Sequence, residues 1–181
     1  RSRERHVEAI VAYDQALVKI KTPENRHWSL FYARGISLEQ SKQWPRAEGD
    51  FLKALELNAE QPLVLNYLGY SWVDRGQNLE RAQKMIVKAV ELRPSDGYIA
   101  DSLGWVYYKV GKYEHAVKEL DRAVELLPAD PIINDHLGDA FWRVGRYREA
   151  KFQWQRVLGL NPKPELEVLV KNKLKVGLKD A

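Results

Sequence analysis

The chain has 181 residues, of which 45% are hydrophobic and 30% charged, an ordinary composition that excludes disordered and membrane-embedded classes. It holds no cysteine, which removes disulfides, Cys-ligated zinc and thiol nucleophiles, and no apolar run approaches the roughly 18 residues of a membrane-spanning helix. The net charge of +4 sits at the ends, with three Arg against one Glu in residues 1–5 and five Lys against three acids in residues 163–181, so the neutral stretch between lacks the basic stripe of a nucleic-acid reader.

Residues 3–20, RERHVEAIVAYDQALVKI, place Ala9, Tyr13 and Ala16 as Ala47, Phe51 and Ala54 are placed farther on. They read as the second helix of a repeat whose first helix lies outside this sequence. The chain therefore reads as a piece of a longer protein, with any membrane contact expected only through other parts of it. Thr22-Pro23-Glu24 supplies a cap residue followed by proline, the signal for the helix holding Trp28. Four two-helix units follow, over 28–61, 62–96, 97–130 and 131–164. Gly76, Gly111 and Gly145 stop the first helices of the last three units. Pro94, Pro128 and Pro162 lie just beyond the second helices, where proline cannot continue the ladder. Asp130 before Pro131 is a further start signal, and Gln77-Asn78 lengthens one turn by a residue. A closing helix is expected over 165–176, with Leu166, Leu169, Val170 and Leu174 on one face and lysines opposite.

The units are registered by Gly35, Gly69, Gly104 and Gly138, spaced by 34, 35 and 34 residues, each answered downstream by Ala47, Ala82, Ala116 and Ala150. A period of this length is one helix-turn-helix unit that cannot bury its apolar face alone, so residues 1–181 form a single stacked all-α array with a long exposed groove. On a helix of 100° per residue, Ala100, Leu103, Gly104 and Tyr107 share one side. Glycine there lets two helices approach, with the small Ala116 expected opposite.

The sets Leu68-Gly69-Trp72-Ala82-Ala89-Pro94, Leu103-Gly104-Tyr107-Ala116-Ala123-Pro128 and Leu137-Gly138-Phe141-Ala150-Trp154-Pro162 resemble the tetratricopeptide repeat family, over nearly the whole chain. The first full repeat departs from the family pattern, with Arg34 where leucine is usual and Ala59 where proline is usual. The resemblance implies a right-handed superhelical solenoid closed by a C-terminal capping helix. It also implies a function in binding other proteins.

About 150° from the packed stripe lies a second stripe, which in this family's architecture faces the concave groove. The candidate partner-binding residues on it are Tyr32, Asn66, Tyr70, Asp74, Tyr98, Asp101, Trp105, Tyr108, Asp135, Asp139, Trp142 and Arg143. Tyr and Trp offer large contact area at low entropic cost. Five acids on the stripe (Glu39, Asp74, Asp101, Asp135 and Asp139) against Lys109 and Arg143 favour an apolar partner segment with some Lys or Arg. Asp135 and Asp139 stand one turn apart, a repulsive pair that calls for a cation, either one opposite or Arg143 one turn on, and Arg143 is the expected choice. With His136 and Asp101 they lack the tight spacing of a metal site. The basic clamp with which one subset of the family holds the carboxyl terminus of chaperones is missing: Tyr32, Asn66, Tyr70, Asp101 and Asp135 occupy its places.

His6, His27, His115 and His136 are dispersed, and no nucleophile elbow, phosphate loop or zincin motif is present, so neither catalysis nor a cofactor nor a small-molecule substrate is expected. The leading function is a protein-interaction scaffold or adaptor, and the alternative is a structural repeat module that self-associates. Residues 97–162 resemble the end of longer bacterial cell-envelope proteins. Some relatives of that kind are lipoproteins that activate a carboxyl-terminal processing protease. That resemblance implies a periplasmic or envelope location, with the cytoplasm as the alternative, and such a protease as a partner.

Overall fold

The structure is a computed structural model that describes residues 2–179. The basic excess expected at the extreme N-terminus falls largely on side chains outside the described set. Among the described residues there are ten α-helices and no strand: α1 (Ser2–Val18), α2 (Trp28–Gln40), α3 (Trp44–Leu57), α4 (Pro62–Asp74), α5 (Leu79–Leu92), α6 (Gly97–Lys109), α7 (Tyr113–Leu126), α8 (Pro131–Arg143), α9 (Tyr147–Leu158) and α10 (Pro164–Val176). No described helix is long and apolar enough to cross a membrane. The chain divides into two compact units, residues 1–68 and 69–181.

The helix boundaries follow the sequence signals closely. Gly76, Gly111 and Gly145 take φ of 65°, 78° and 79°, and Lys42 takes the same left-handed conformation after α2, where the sequence offers no glycine. Asp96 and Asp130 cap α6 and α8 by accepting from backbone N–H groups two and three residues on. The start near Trp28 is less direct than expected. A short 3-10 turn, Asn25–His27, precedes α2, and there the backbone N–H of Glu24 donates to Nδ1 of His27.

In unit 1, α1 packs on α2 and α2 on α3 around Phe31, Leu38, Ala47, Phe51, Ala54 and Leu57. Arg34, the departure from the repeat pattern, is the polar hub of this unit. Its guanidinium grips Asp50 through Nε at 2.7 Å and Nη2 at 2.6 Å, and reaches Asp14 on α1 through Nη1 at 2.7 Å. A leucine at this position would leave the nearly buried Asp50 carboxylate without its cation.

In unit 2, α7 buries the stripe Ala116, Val117, Leu120, Ala123 and Val124, spaced for one helix face, between α6 and α8. Each such fully buried Leu contributes about 2 kcal/mol by leaving water. The glycines do permit close approach, but the residue opposite is large, which corrects the expected Gly–Ala contact. A Cβ on Gly104 would fall 2.5 Å from Cγ of Leu120, and one on Gly138 would fall 2.5 Å from Nε1 of Trp154, with the Ala150 carbonyl at 3.2 Å. The alanines matter because they let the second helix approach backbone-first, while the residue four positions on fills the glycine's hollow.

The closing helix forms where expected, yet its faces are assigned differently. Val170 and Lys173 are the buried side chains of α10, whereas Leu169 is 48% exposed. Lysine is thus on the packed face and a leucine on the open one.

Candidate functional site

In unit 2 the first helices of successive repeats present one continuous face, because the 34-residue register brings equivalent turns of α6 and α8 side by side. On it the Trp105 ring stacks on His136, with centroids 4.0 Å apart and 16° between planes, and on Tyr108 at 4.7 Å and 4°. Arg143 Nε donates to the Tyr108 hydroxyl at 3.2 Å, and the Lys109 ammonium lies 5.7 Å from the Trp105 ring centroid. The expected binding aromatics are therefore a stack that holds its own members rigid. Tyr98 is the open member of the set, at 60% exposed, and Asp74 is also exposed. Tyr70 is half-buried. Burial, with the Asp101 and Asp74 carboxylates nearby, pushes its hydroxyl up to about 12, so it stays a neutral donor.

The carboxylates are placed otherwise than expected. Asp101, Asp135 and Asp139 are buried, at 7%, 5% and 6% exposed, and each is met by a cation or imidazole from another helix. His136 Nδ1 lies 2.8 Å from Asp101 Oδ1. Burial works against the charged ring, but Asp101, with Asp135 and Asp139 behind it, outweighs that and raises the His136 pKa above its ordinary value. Lys173 Nζ donates to both oxygens of Asp135 at 2.8 Å and to both of Asp139 at 2.7 and 2.9 Å, and Trp154 Nε1 donates to Asp139 at 3.0 Å. The cation seated on the Asp135–Asp139 pair is thus Lys173 from α10, in place of the expected Arg143. Burial and the neighbouring Asp135 charge push Asp139 up to about 6, although Lys173 and Trp154 pull the other way.

The chain after α10 completes the covering. Gly177, at φ 72°, lies so close against Trp142 that a Cβ would enter the ring, and Arg143 Nη2 donates to the Lys179 carbonyl at 3.2 Å. Four expected binding residues, Asp135, Asp139, Trp142 and Arg143, are therefore engaged by residues 173–179. In unit 1, Tyr32 packs among Trp28, Phe51 and Tyr67, and burial raises its pKa. The half-buried Asn66 has an amide oxygen buried without a hydrogen-bond partner.

Residues 104–145, from the middle of α6 to the turn before α9, match the family model described as TPR repeat. The chain has the tetratricopeptide repeat fold. It is 33% identical over 88 residues to the TPR repeat-containing protein PA4667 of Pseudomonas aeruginosa, an alignment covering 49% of this chain and 15% of that relative, so the chain spans a small part of that relative's length. A thermophilic TPR protein of Thermus thermophilus superposes with a TM-score of 0.77 at 20% identity, covering 96% of this chain and 92% of that one. The first TPR of Spaghetti (RPAP3), solved bound to the HSP90 peptide SRMEEVD, superposes with a TM-score of 0.58 at 22% identity, over 65% of this chain and 90% of that one. These likenesses establish the TPR fold.

Lys173 is the residue that sequence reasoning missed, while His136, weighed there beside Asp101 only as a metal ligand, is instead the hydrogen-bond partner of Asp101. The signal for Lys173 was present: it lies 34 residues after Asp139, as Asp139 lies 34 after Trp105, so the TPR register runs on through α10.

Proposed function

We propose that this chain is a non-catalytic interaction module that binds an extended, largely apolar segment of a partner protein along the face of α6 and α8 in unit 2. The observation that carries this reading is the exposed Tyr98 ring on the same face as the rigid Trp105–Tyr108 stack, an aromatic platform that loses little side-chain entropy on binding. The TPR fold supports a scaffold role, and the peptide held by the RPAP3 domain shows one such use in a relative of this fold. That peptide ends in acids, whereas the expected groove stripe here bears an exposed Asp74 and no basic clamp, so an acidic tail is a poor fit. With Asp101, Asp135 and Asp139 buried and engaged by His136 and Lys173, positive charge on the partner matters less than apolar surface.

The finer form of this proposal is an adaptor in the bacterial cell envelope whose partner is a carboxyl-terminal processing protease. Its support is the resemblance of residues 97–162 to such proteins. Affinity capture from a bacterial envelope extract should retain partners with the wild-type chain and lose them with the Tyr98→Ala/Trp105→Ala variant at unchanged helicity. Capture that survives the double substitution overturns the face assignment. Light scattering on the chain alone separates this reading from self-association, since a scaffold for others keeps one mass as concentration rises.

A further inference from the structure

Asp101, Asp135, His136, Asp139 and Lys173 form one buried ionisable cluster across α6, α8 and α10. Three carboxylates face one ammonium and one imidazole, so the cluster carries excess negative charge even when His136 is protonated. From α6 the facing groups are Asp101 and the Trp105 ring, and from α9 the indole N–H of Trp154. From α10 it is Lys173, while α7 contributes its apolar stripe. Tyr70 lies near Asp101, and the Arg143–Tyr108 pair lies beyond Asp139. His136 is tied to Asp101 between α6 and α8, independently of α10.

The hold of α10 on the rest of unit 2 is narrow. Val170 and Lys173 are its buried side chains, Leu166 and Leu174 are half-buried, and Val168, Leu169 and Val176 are exposed. Lys173 is the charged member of this attachment, beside the apolar contacts of Leu166, Val170, Leu174 and Leu178. Lifting α10 returns Lys173 to water and hydrates Asp135 and Asp139, and Asp139 then ionises as an ordinary carboxylate. With α10 seated, the two share a single ammonium in a dry site. A proton on Asp139 removes their repulsion and leaves Asp135 to bind Lys173.

We propose that α10 is a proton-linked strap over the groove face of the last repeat, which tightens as the pH falls from neutral to about 5 and slackens as it rises. The sign is opposite to that of a balanced salt bridge, which acid weakens, because here carboxylates outnumber the cation. The raised position of Asp139 agrees with this geometry. Lifting the strap uncovers Asp135, Asp139, Trp142 and Arg143, so the exposed length of the face depends on pH whether or not a partner is bound.

Hydrogen exchange over residues 164–179, normalised for the intrinsic rate at each pH, tests the strap on the full 181-residue chain. The opening constant of α10 should rise about tenfold from pH 5 to pH 7, because Asp139 titrates near 6 when covered and as an ordinary carboxylate when open. Asp139→Asn, which mimics the protonated side chain, should flatten that response and hold α10 at pH 7 as firmly as the wild type at pH 5; Asp135→Asn serves as the independent second variant. Lys173→Met should free α10 at pH 7 while α6 to α9 keep their protection. A wild-type opening constant equal at both pH values overturns the proposal. So does a tenfold response that persists in both asparagine variants, or unchanged α10 exchange in Lys173→Met.

Discussion

Arg34 in unit 1 and Lys173 in unit 2 each meet two aspartates, and the two sites differ in geometry, wetness and charge balance. The Arg34 guanidinium takes Asp50 with two parallel bonds and Asp14 with a third, and Asp14, at 40% side-chain exposure, also meets Arg46 at 3.4 Å. Two cations there answer two carboxylates, and water reaches one side. The Lys173 ammonium is a point charge enclosed with Asp135 and Asp139, and it is shared between them in a dry site. A balanced guanidinium hub fixes one arrangement at every physiological pH. An outnumbered ammonium leaves a charge imbalance that protons can correct.

The comparison can be broken most forcefully at Lys173. Lys173→Met strands two buried carboxylates and should cost about 3 kcal/mol at pH 7, a loss limited by the cost of lifting α10. Urea denaturation at pH 7 and pH 5 should show a smaller loss at the lower pH, and an equal loss at both would show that Asp139 takes up no proton in this range. Next comes Arg34→Leu, which restores the usual repeat residue but leaves Asp50 buried and uncompensated, at about 2 kcal/mol. Adding Asp50→Leu should recover most of that. Stabilisation by Arg34→Leu alone would mean that Asp50 needs no cation.

The smallest effect is the pH slope. Asp139 is raised from 3.8 to about 6, so the stability it confers is greatest in acid and falls as the pH rises through that window. His136 is raised above 6.5, so its contribution is full below 6.5 and is lost as the pH climbs through its folded value. Both act in one direction, and calorimetry should show the Tm falling by about 4 °C from pH 5 to pH 8, the response to the roughly 1.4 kcal/mol that Asp139 loses over that range in a domain of this size. The slope should vanish in His136→Gln/Asp139→Asn and persist in Arg34→Leu/Asp50→Leu. Persistence in the first pair would place the proton-linked groups elsewhere.

Much of the architecture was legible in the residues. The 34-residue glycine period, the left-handed glycines at 76, 111 and 145, and the Asp130 cap each act through local backbone geometry, which a sequence records directly. The face carrying Tyr70, Tyr98 and Trp105 was also countable from the glycines, because a helix has a fixed angular period. Counting could not say which of those side chains remain free. Trp105 is stacked on His136 and Asp135 is spent on Lys173, because these partners, 31 and 38 residues away, arrive through repeat stacking.

The sequence by itself determined the TPR fold, the left-handed stops at Gly76, Gly111 and Gly145, and the Asp130 start of α8. These follow from helical period and backbone conformation, which are properties of neighbouring residues. The tertiary structure decided that three acids of the expected groove are buried, that Lys173 turns inward while Leu169 turns out, and that residues 173–179 cover the face of the last repeat. Those outcomes depend on which charges meet when distant helices exclude water, and the desolvation of a carboxylate is decided only by what is packed over it.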